Sequence, residues 1–321
     1  MFIPESLFIS FVFLIFPGLT KIHNCKKIGE KRAKTYRIEL ELSNSIKATM
    51  ETPFQIKDKC IVITGGAGAL CGSLAAALAR QGAKICILDL DMPRAEELCK
   101  KLEADTGYAF AVKTDVTDKE SLQSAFDRAM EEMGRIDVLI NGAGGNKKEA
   151  TTSENLSFFD LPPDALKEVF DLNLLGTILP SQVFGKCIAE QASGVILNIS
   201  SMSAFRPLTK IPAYSAAKAA VSNFTRWLAV HMCRNYSKNI RVNAIAPGFF
   251  LTEQNRFLLT DEKTKQLTER GKTIVDHTPM GNFGRPEDLI GTVLWLISDA
   301  SRFVTGVVVP VDGGFSAFSG V

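Results

Sequence analysis

Short, continuous apolar runs alternate with longer amphipathic stretches along most of this chain. The run CIVITGG (60–66) precedes the helical pattern LAAALARQGA (74–83), and KICILDL (84–90) precedes RAEELCKKLEADTG (94–107). Strands that are apolar throughout are buried on both faces. The alternation is therefore typical of a parallel sheet covered by helices on both sides.

The same alternation continues to the end of the chain. Further strand-like runs are AFAVKTDV (109–116), IDVLING (136–142), GVILNISS (194–201), IRVNAIAPG (240–248) and GVVVPVDGG (306–314), with a long helix predicted around 213–236. The fold class is therefore predicted as α/β, a doubly wound parallel sheet (Rossmann fold) in a single domain. Ligands bind such sheets at the carboxyl ends of the strands, where the strand order reverses, so functional residues are expected there.

The first 49 residues follow a different pattern. An apolar run, SLFISFVFLIFPGL (6–19), is shorter than the roughly 20 residues that span a bilayer, and a basic stretch, KIHNCKKIGEKRAK (21–34), follows it. One interpretation is a membrane anchor. The favoured one is that 1–49 is an extension outside the fold and that Met50 is the biological start. METPFQIKDKCIVITGG begins the domain with no linker, so the predicted domain is 50–321.

Composition excludes several function classes. With 46% hydrophobic residues, 22% charged residues and a net charge of +2, the chain is typical of a soluble protein. We expect no nucleic-acid or membrane partner. The seven cysteines are scattered without a CxxC pair. This favours reduced thiols in the cytoplasm over disulfides or a metal site.

A glycine-rich turn joins the first predicted strand to the first helix. In TGGAGALCG (64–72), Gly65 and Gly68 would let backbone N–H groups approach a pyrophosphate at the helix N-terminus. The alternative is an ordinary tight turn. Asp89 ends the second strand, where a carboxylate can accept hydrogen bonds from a ribose and repel a 2′-phosphate. Leu90, not a basic residue, follows it, so NAD is favoured over NADP. Asp115 follows the third strand, at the expected adenine edge.

Tyr214 and Lys218 lie four residues apart at a helix start, hence on one face. A phenol has a pKa of about 10, and a neighbouring ammonium would lower it toward the working range. Ser201, at the end of another strand, could hold a reacting oxygen beside the tyrosine. Taken alone, the Tyr/Lys pair could equally be an exposed helical pair.

Together these motifs resemble the short-chain dehydrogenase/reductase family over about 57–321. The shared motifs are TGG…G, DV, NGAG, the Asn of FDLNLLG, NISS, YSAAK, NAIAPG and VDGG. The resemblance implies a catalytic tetrad of Asn173, Ser201, Tyr214 and Lys218. Tyr214 would be the proton donor and Lys218 would lower its pKa. Asn173 would stabilise a helix break that keeps a proton-relay water.

The resemblance also implies the residues that hold NAD. They are Gly65, Gly68, Leu70, Asp89, Asp115, Val116, Asn141, Gly142, Tyr214, Lys218, Pro247, Gly248 and Thr252. One departure concerns the glycine turn. The family's commonest form is TGxxxGxG, and its second and third glycine positions are Ala69 and Cys71 here, with Gly68 and Gly72 displaced by one. We expect a differently shaped turn that still binds the cofactor.

Other segments resemble the sugar-acid branch of the family, D-mannonate oxidoreductases (fructuronate reductases) above all, with gluconate 5-dehydrogenases nearby. The segments are TGGAGALCG, GAGGNKKEATT, PGFFLTEQNR and DGGFSAFSGV. The implied reaction interconverts a keto sugar acid and its hydroxy acid. Substrate contacts are expected from Asn146, Lys147, Ser201, Tyr214 and Asn255, with Lys148, Arg206, Gln254 and Arg256 as further cation or amide candidates.

Two alternatives remain open at this point. A 3-ketoacyl thioester reductase would need an apolar channel, which the polar GGNKKEATTS does not suggest. A non-catalytic NAD-sensing protein would keep the fold, but such proteins commonly lose the tyrosine or the lysine. The resemblance also implies a homo-tetramer, assembled partly through the long helix that carries Tyr214 and the C-terminal segment.

Overall fold

Seven parallel strands form one sheet in the order β3-β2-β1-β4-β5-β6-β7. The computed structural model describes residues 53–106, 108–252, 256–261 and 264–320. The interpretations of residues 1–49 lie outside these ranges. The strands are β1 (Cys60–Thr64), β2 (Lys84–Asp89), β3 (Ala109–Lys113), β4 (Val138–Asn141), β5 (Gly194–Ile199), β6 (Ile240–Pro247) and β7 (Val308–Val311).

Helices connect the strands and cover the sheet. They are α1 (Ala69–Arg80), α2 (Met92–Thr106), α3 (Lys119–Met133), α4 (Pro163–Phe170), α5 (Gly176–Glu190), α6 (Pro212–Asn235), α7 (Arg256–Leu259), α8 (Glu269–Asp276) and α9 (Ile290–Ile297). In the described residues, no helix combines the length and apolar character needed to cross a membrane.

Each face of the sheet buries its own apolar core. Successive side chains of a strand point to opposite faces. Ile61 and Ile63 therefore pack with α1, α2 and α9, while Val62 packs with α3, α5 and α6. All five residues of β1 are buried, which explains why the central strands are apolar throughout.

The strand order reverses between β1 and β4. From β1 the chain moves outward to β2 and β3, then crosses back to β4 on the other side of β1. Thr64 pairs with Asn141 at the carboxyl ends of these two strands. The predicted doubly wound sheet is confirmed, and its switch point is where the candidate functional residues gather.

Candidate active site

A cleft of about 520 Å³ opens at the carboxyl ends of the central strands. Nine of the residues predicted to bind a dinucleotide line it: Gly65, Gly68, Leu70, Asp89, Asp115, Val116, Gly142, Gly248 and Thr252. Ala143 and Gly144 of the NGAG motif also line the cleft, and so do residues that the sequence did not single out, among them Thr114, Leu172 and Phe250. Thr114, Ala143, Gly144 and Phe250 follow strands that are far apart in sequence, whereas Leu172 lies in the π-helical segment Asp171–Leu175.

The glycine turn after β1 brings backbone close to the loop after β4. Gly65 has φ +60°, and a Cβ placed on it would lie 2.7 Å from the Ala143 Cα atom. Glycine is required here because it adopts a positive φ readily and has no Cβ to collide with Ala143. Gly68 is the N-cap of the 12-residue helix α1 and carries no capping side chain. The N–H groups and positive dipole end of α1 face the cleft, which suits the pyrophosphate of a dinucleotide.

Cys71 stands at the position where the family's commonest turn has its third glycine. Its side chain is buried, lines the cleft and contacts the space that a Cβ on Gly142 would fill. Burial raises the pKa of the Cys71 thiol to about 12. The thiol is therefore a small neutral group that lines the cleft, and Gly142 leaves room for it because it has no Cβ.

Asp89 holds the glycine turn to the end of β2. Its Oδ2 atom accepts a hydrogen bond from the Ala67 N–H at 2.9 Å, and its Oδ1 accepts from the Asp91 N–H at 3.0 Å. A carboxylate held in this way faces the cleft as a fixed negative charge. Asp115 also lines the cleft, and its Oδ1 accepts from the N–H and hydroxyl of Thr117 at 2.8 and 2.7 Å.

Asn141 lies beneath the cleft rather than along its wall. Only 1% of it is exposed, and its Nδ2 donates to Ser181 Oγ at 2.9 Å and to Asn198 Oδ1 at 2.8 Å. It was predicted to line the cleft, but its side chain is instead buried in hydrogen bonds that join β4 to β5 and α5. Pro247 is likewise buried, at the end of β6.

Thr64 was not identified from the sequence. It is fully buried, and its Oγ1 accepts hydrogen bonds from the N–H groups of Gly142 and Ala143 at 3.1 and 3.2 Å. It thereby joins the end of β1 to the loop after β4. These partners are almost eighty residues away along the chain, so no local sequence pattern predicts the contact.

Tyr214, Ser201 and Lys218 meet at the start of α6. The Ser201 hydroxyl lies close enough to the Tyr214 hydroxyl to lower its pKa, and the Lys218 Nζ atom lies 5.7 Å from the centre of the Tyr214 ring. Lys218 is 4% exposed, and its Nζ donates to the Ile199 carbonyl at 2.8 Å. The three predicted side chains are therefore brought together.

The pKa of Tyr214 differs in direction from the sequence-based expectation. Burial raises the pKa of Tyr214, and the hydrogen bond with Ser201 only partly opposes this effect. Burial also lowers the pKa of Lys218 to about 8. The expected lowering of the tyrosine pKa by Lys218 is not seen, because desolvation dominates both groups.

Asn173 stabilises a π-helical turn, Asp171–Leu175, between α4 and α5. Its Nδ2 donates to the carbonyls of Gly145 and Val169 at 2.7 and 2.8 Å, and its Oδ1 accepts from the Gly145 N–H at 3.2 Å. A Cβ placed on Gly144 would lie 2.7 Å from Asn173 Oδ1 and 3.1 Å from Lys218 Nζ. Since Gly144 also lines the cleft, the predicted catalytic residues Asn173 and Lys218 adjoin the cleft at this glycine.

The predicted substrate loop is folded on itself. Asn146 Nδ2 donates to Thr151 Oγ1 at 2.7 Å, and Lys147 forms an ion pair with Glu168 of α4. Arg206 Nε donates to the Ser316 carbonyl at 3.1 Å, which joins it to the C-terminal segment. Asn255 and Gln254 lie outside the described residues. Among all the residues that the structure describes, no cluster of three or more His, Cys, Asp or Glu side chains could hold a metal ion.

Comparisons with known proteins place this arrangement in a family. Residues 66–316 match the family model described as enoyl-(acyl carrier protein) reductase, a group of short-chain dehydrogenases. An uncharacterized oxidoreductase of Bacillus subtilis, UxuB, is 48% identical over 82% of this chain and 96% of its own length. The 5-keto-D-gluconate 5-reductase of Escherichia coli is 35% identical over 83% of this chain and 98% of its own length.

A crystal structure of a proposed D-mannonate oxidoreductase from Haemophilus influenzae, with bound NAD, also matches. It is 47% identical, has a TM-score of 0.78, and the match covers 83% of this chain and 98% of that protein. The predicted resemblance is confirmed by family model, by sequence relatives and by structure. The chain belongs to the short-chain dehydrogenase/reductase family of oxidoreductases.

Proposed function

We propose that this chain is an NAD(H)-dependent oxidoreductase that interconverts a keto sugar acid and its hydroxy acid, specifically D-fructuronate and D-mannonate. The observation that carries the proposal is the junction at Gly144. There the dinucleotide cleft adjoins Lys218 and Asn173, directly before the polar loop that carries Asn146 and Lys147. The bound NAD and proposed activity of the Haemophilus influenzae relative support it.

The residues present fit a dinucleotide. Gly65, Gly68 and the N-terminus of α1 would hold the pyrophosphate, and Asp89 would accept hydrogen bonds from the adenosine ribose. The fixed Asp89 carboxylate would repel a 2′-phosphate, which favours NAD over NADP. When bound, the cofactor supplies or accepts the hydride.

The protein supplies the proton and the orientation. Ser201 would hold the reacting oxygen against Tyr214, whose hydroxyl donates a proton when the ketone is reduced and accepts one in the reverse direction. Burial raises the pKa of Tyr214, so the phenol carries the proton that reduction requires but is a weaker acid than a free tyrosine. Lys218 would hold the nicotinamide ribose. Asn173 would keep the π-helical turn in place.

One related substrate is favoured by a specific observation. The match to the Escherichia coli 5-keto-D-gluconate 5-reductase extends over 98% of that protein, so 5-ketogluconate is the second candidate. A ketoacyl thioester is less well supported, because Asn146, Lys147 and Lys148 are all exposed polar residues at the loop. The presence of both Tyr214 and Lys218 argues against a sensor without turnover.

We also propose a homo-tetramer located in the cytoplasm. The described cysteines are all free thiols, which suits a reducing compartment. The surface of α6 carries exposed apolar side chains, as an interface between copies would require.

A substrate panel tests the proposal. Purified protein and NADH are mixed separately with D-fructuronate, 5-ketogluconate and a 3-ketoacyl thioester, and loss of nicotinamide absorbance is followed. We expect the highest kcat/KM for fructuronate, a lower value for 5-ketogluconate and the lowest for the thioester. NADH binding without turnover of either sugar acid would reject the proposed activity.

A further inference from the structure

The loop between Gly145 and Thr151 is fastened at both ends beside the catalytic residues. At one end, Asn173 binds both the N–H and the carbonyl of Gly145. At the other end, Ala150 is fully buried in an apolar cluster with Val169 and Tyr214. The tip of the loop therefore has a fixed position relative to the tyrosine.

Further hydrogen bonds close the loop internally. Asn146 Nδ2 and the Lys147 carbonyl both bind Thr151 Oγ1, at 2.7 Å each. The next residue, Thr152, donates its N–H to the Lys210 carbonyl at 2.9 Å. With its backbone held in this way, the loop presents the Lys147 side chain from a defined point.

Glu168 is the anion that faces Lys147. It precedes Val169, whose carbonyl accepts a hydrogen bond from Asn173 at 2.8 Å. Asn173 thus joins loop and α4 on the inner side, and the Lys147–Glu168 ion pair joins them on the outer side. The two charged side chains are 47% and 53% exposed. Exposed pairs of this kind contribute little to stability, so another anion can displace Glu168.

We propose that Glu168 is a specificity-determining residue, an internal anion that competes with the carboxylate of the substrate for Lys147. The inference rests on the proposed function, since it assigns Lys147 to a sugar-acid carboxylate. When substrate binds, its carboxylate replaces Glu168 at the ammonium. A neutral sugar leaves the ion pair in place and gains nothing from Lys147.

The test is a binding measurement on the full chain saturated with NADH. D-gluconate and D-glucitol serve as probes, because they differ only in carboxylate against hydroxymethyl. Calorimetric titration should show that Glu168→Gln tightens gluconate binding about two- to fivefold, the ratio that displacing an exposed pair implies. Lys147→Met should weaken gluconate binding by at least as much. Neither variant should change glucitol binding.

Two controls separate competition from a structural role. Glu97→Gln removes the partner of Lys101 in an exposed ion pair on α2, with both side chains 68% exposed, and should change neither probe. In the Lys147→Met background, Glu168→Gln should lose most of its effect. Glu168→Gln that leaves gluconate binding unchanged, or weakens both probes alike, overturns the proposal, as does wild type that does not bind gluconate.

The measurement is independent of turnover. Failure of the sugar-acid panel with normal gluconate binding would reject the proposed activity and keep the competition at Lys147. If fructuronate is turned over normally and Glu168→Gln does not change gluconate binding, the competition at Lys147 is rejected and the proposed activity is kept.

Discussion

Tyr214 is the residue on which the proposed proton transfer depends. Replacing it with Phe removes the hydroxyl and keeps the ring that packs against Ala150 and Val169. Loss of general acid–base catalysis typically costs about 10²–10⁴ in rate, so we expect kcat of Tyr214→Phe to fall about a thousandfold. NADH binding, measured by fluorescence titration, should be retained. Tyr236→Phe makes the same chemical change at a tyrosine that is 57% exposed and should keep full activity. Retained turnover in Tyr214→Phe would reject the mechanism.

Lys218 gives a pH dependence of stability. Its folded-state pKa is lowered from the ordinary 10.5 to about 8 by burial. Between these values the unfolded chain binds more protons than the folded one, so the free energy of unfolding rises with pH across that window. Lys218→Met cannot titrate. Relative to this variant, the wild type should gain on the order of 3 kcal/mol between pH 7.5 and 10.5. Urea denaturation at several pH values checks this. A difference that stays constant or shrinks across the window contradicts it.

At the scale of elements, the loop after β4 works because its glycines permit close approach. A Cβ on Gly144 would lie 2.7 Å from Asn173 Oδ1 and 3.1 Å from Lys218 Nζ. We expect Gly144→Ala to displace these side chains and to lower kcat about tenfold or more, since small misplacements of catalytic groups are costly. Gly291→Ala is the matched control. A Cβ there has no heavy atom within 4 Å, and alanine favours the helix, so activity should be unchanged and stability equal or higher. Equal activity of the two variants would reject a role for close approach at Gly144.

Features that depend on local sequence were predictable, and features that depend on distant contacts were not. The apolar strands identify the sheet, and the spacing of Tyr214 and Lys218 places them on one face of α6. Thr64 is different, because its importance comes from hydrogen bonds to the loop after β4. Likewise, Glu168 meets Lys147 only because α4 packs beside the loop. Asn141 is a similar case. The sequence pattern predicts that it ends a strand, but it does not predict the buried partners, Ser181 and Asn198, that hold its side chain below the cleft.

At the scale of the whole molecule, the residues that the structure describes include an exposed apolar surface on α6. The two cores cover both sheet faces, yet Trp227 and Val230 of α6 remain 57% and 58% exposed. Trp227 stacks on Phe224 and His231, at ring distances of 6.2 and 4.7 Å, which forms an ordered aromatic row along the helix. Between α5 and α6 this row borders a groove of about 850 Å³. Ordered aromatic side chains with exposed apolar neighbours are enriched at protein interfaces.

The proposed tetramer makes this surface testable. Trp227→Glu places a charge at the centre of the aromatic row, and burying an unpaired charge in an interface is strongly unfavourable. We therefore expect this variant to shift to smaller species in size-exclusion chromatography with light scattering, while the wild type runs as a tetramer. Phe159→Glu makes a comparable change at a side chain that is 92% exposed and should leave the mass unchanged. The charge should act on assembly and not on the fold, because Trp227 is already half exposed, so the circular dichroism of Trp227→Glu should match the wild type. A tetramer of unaltered stability in Trp227→Glu would exclude this face of α6 as the interface.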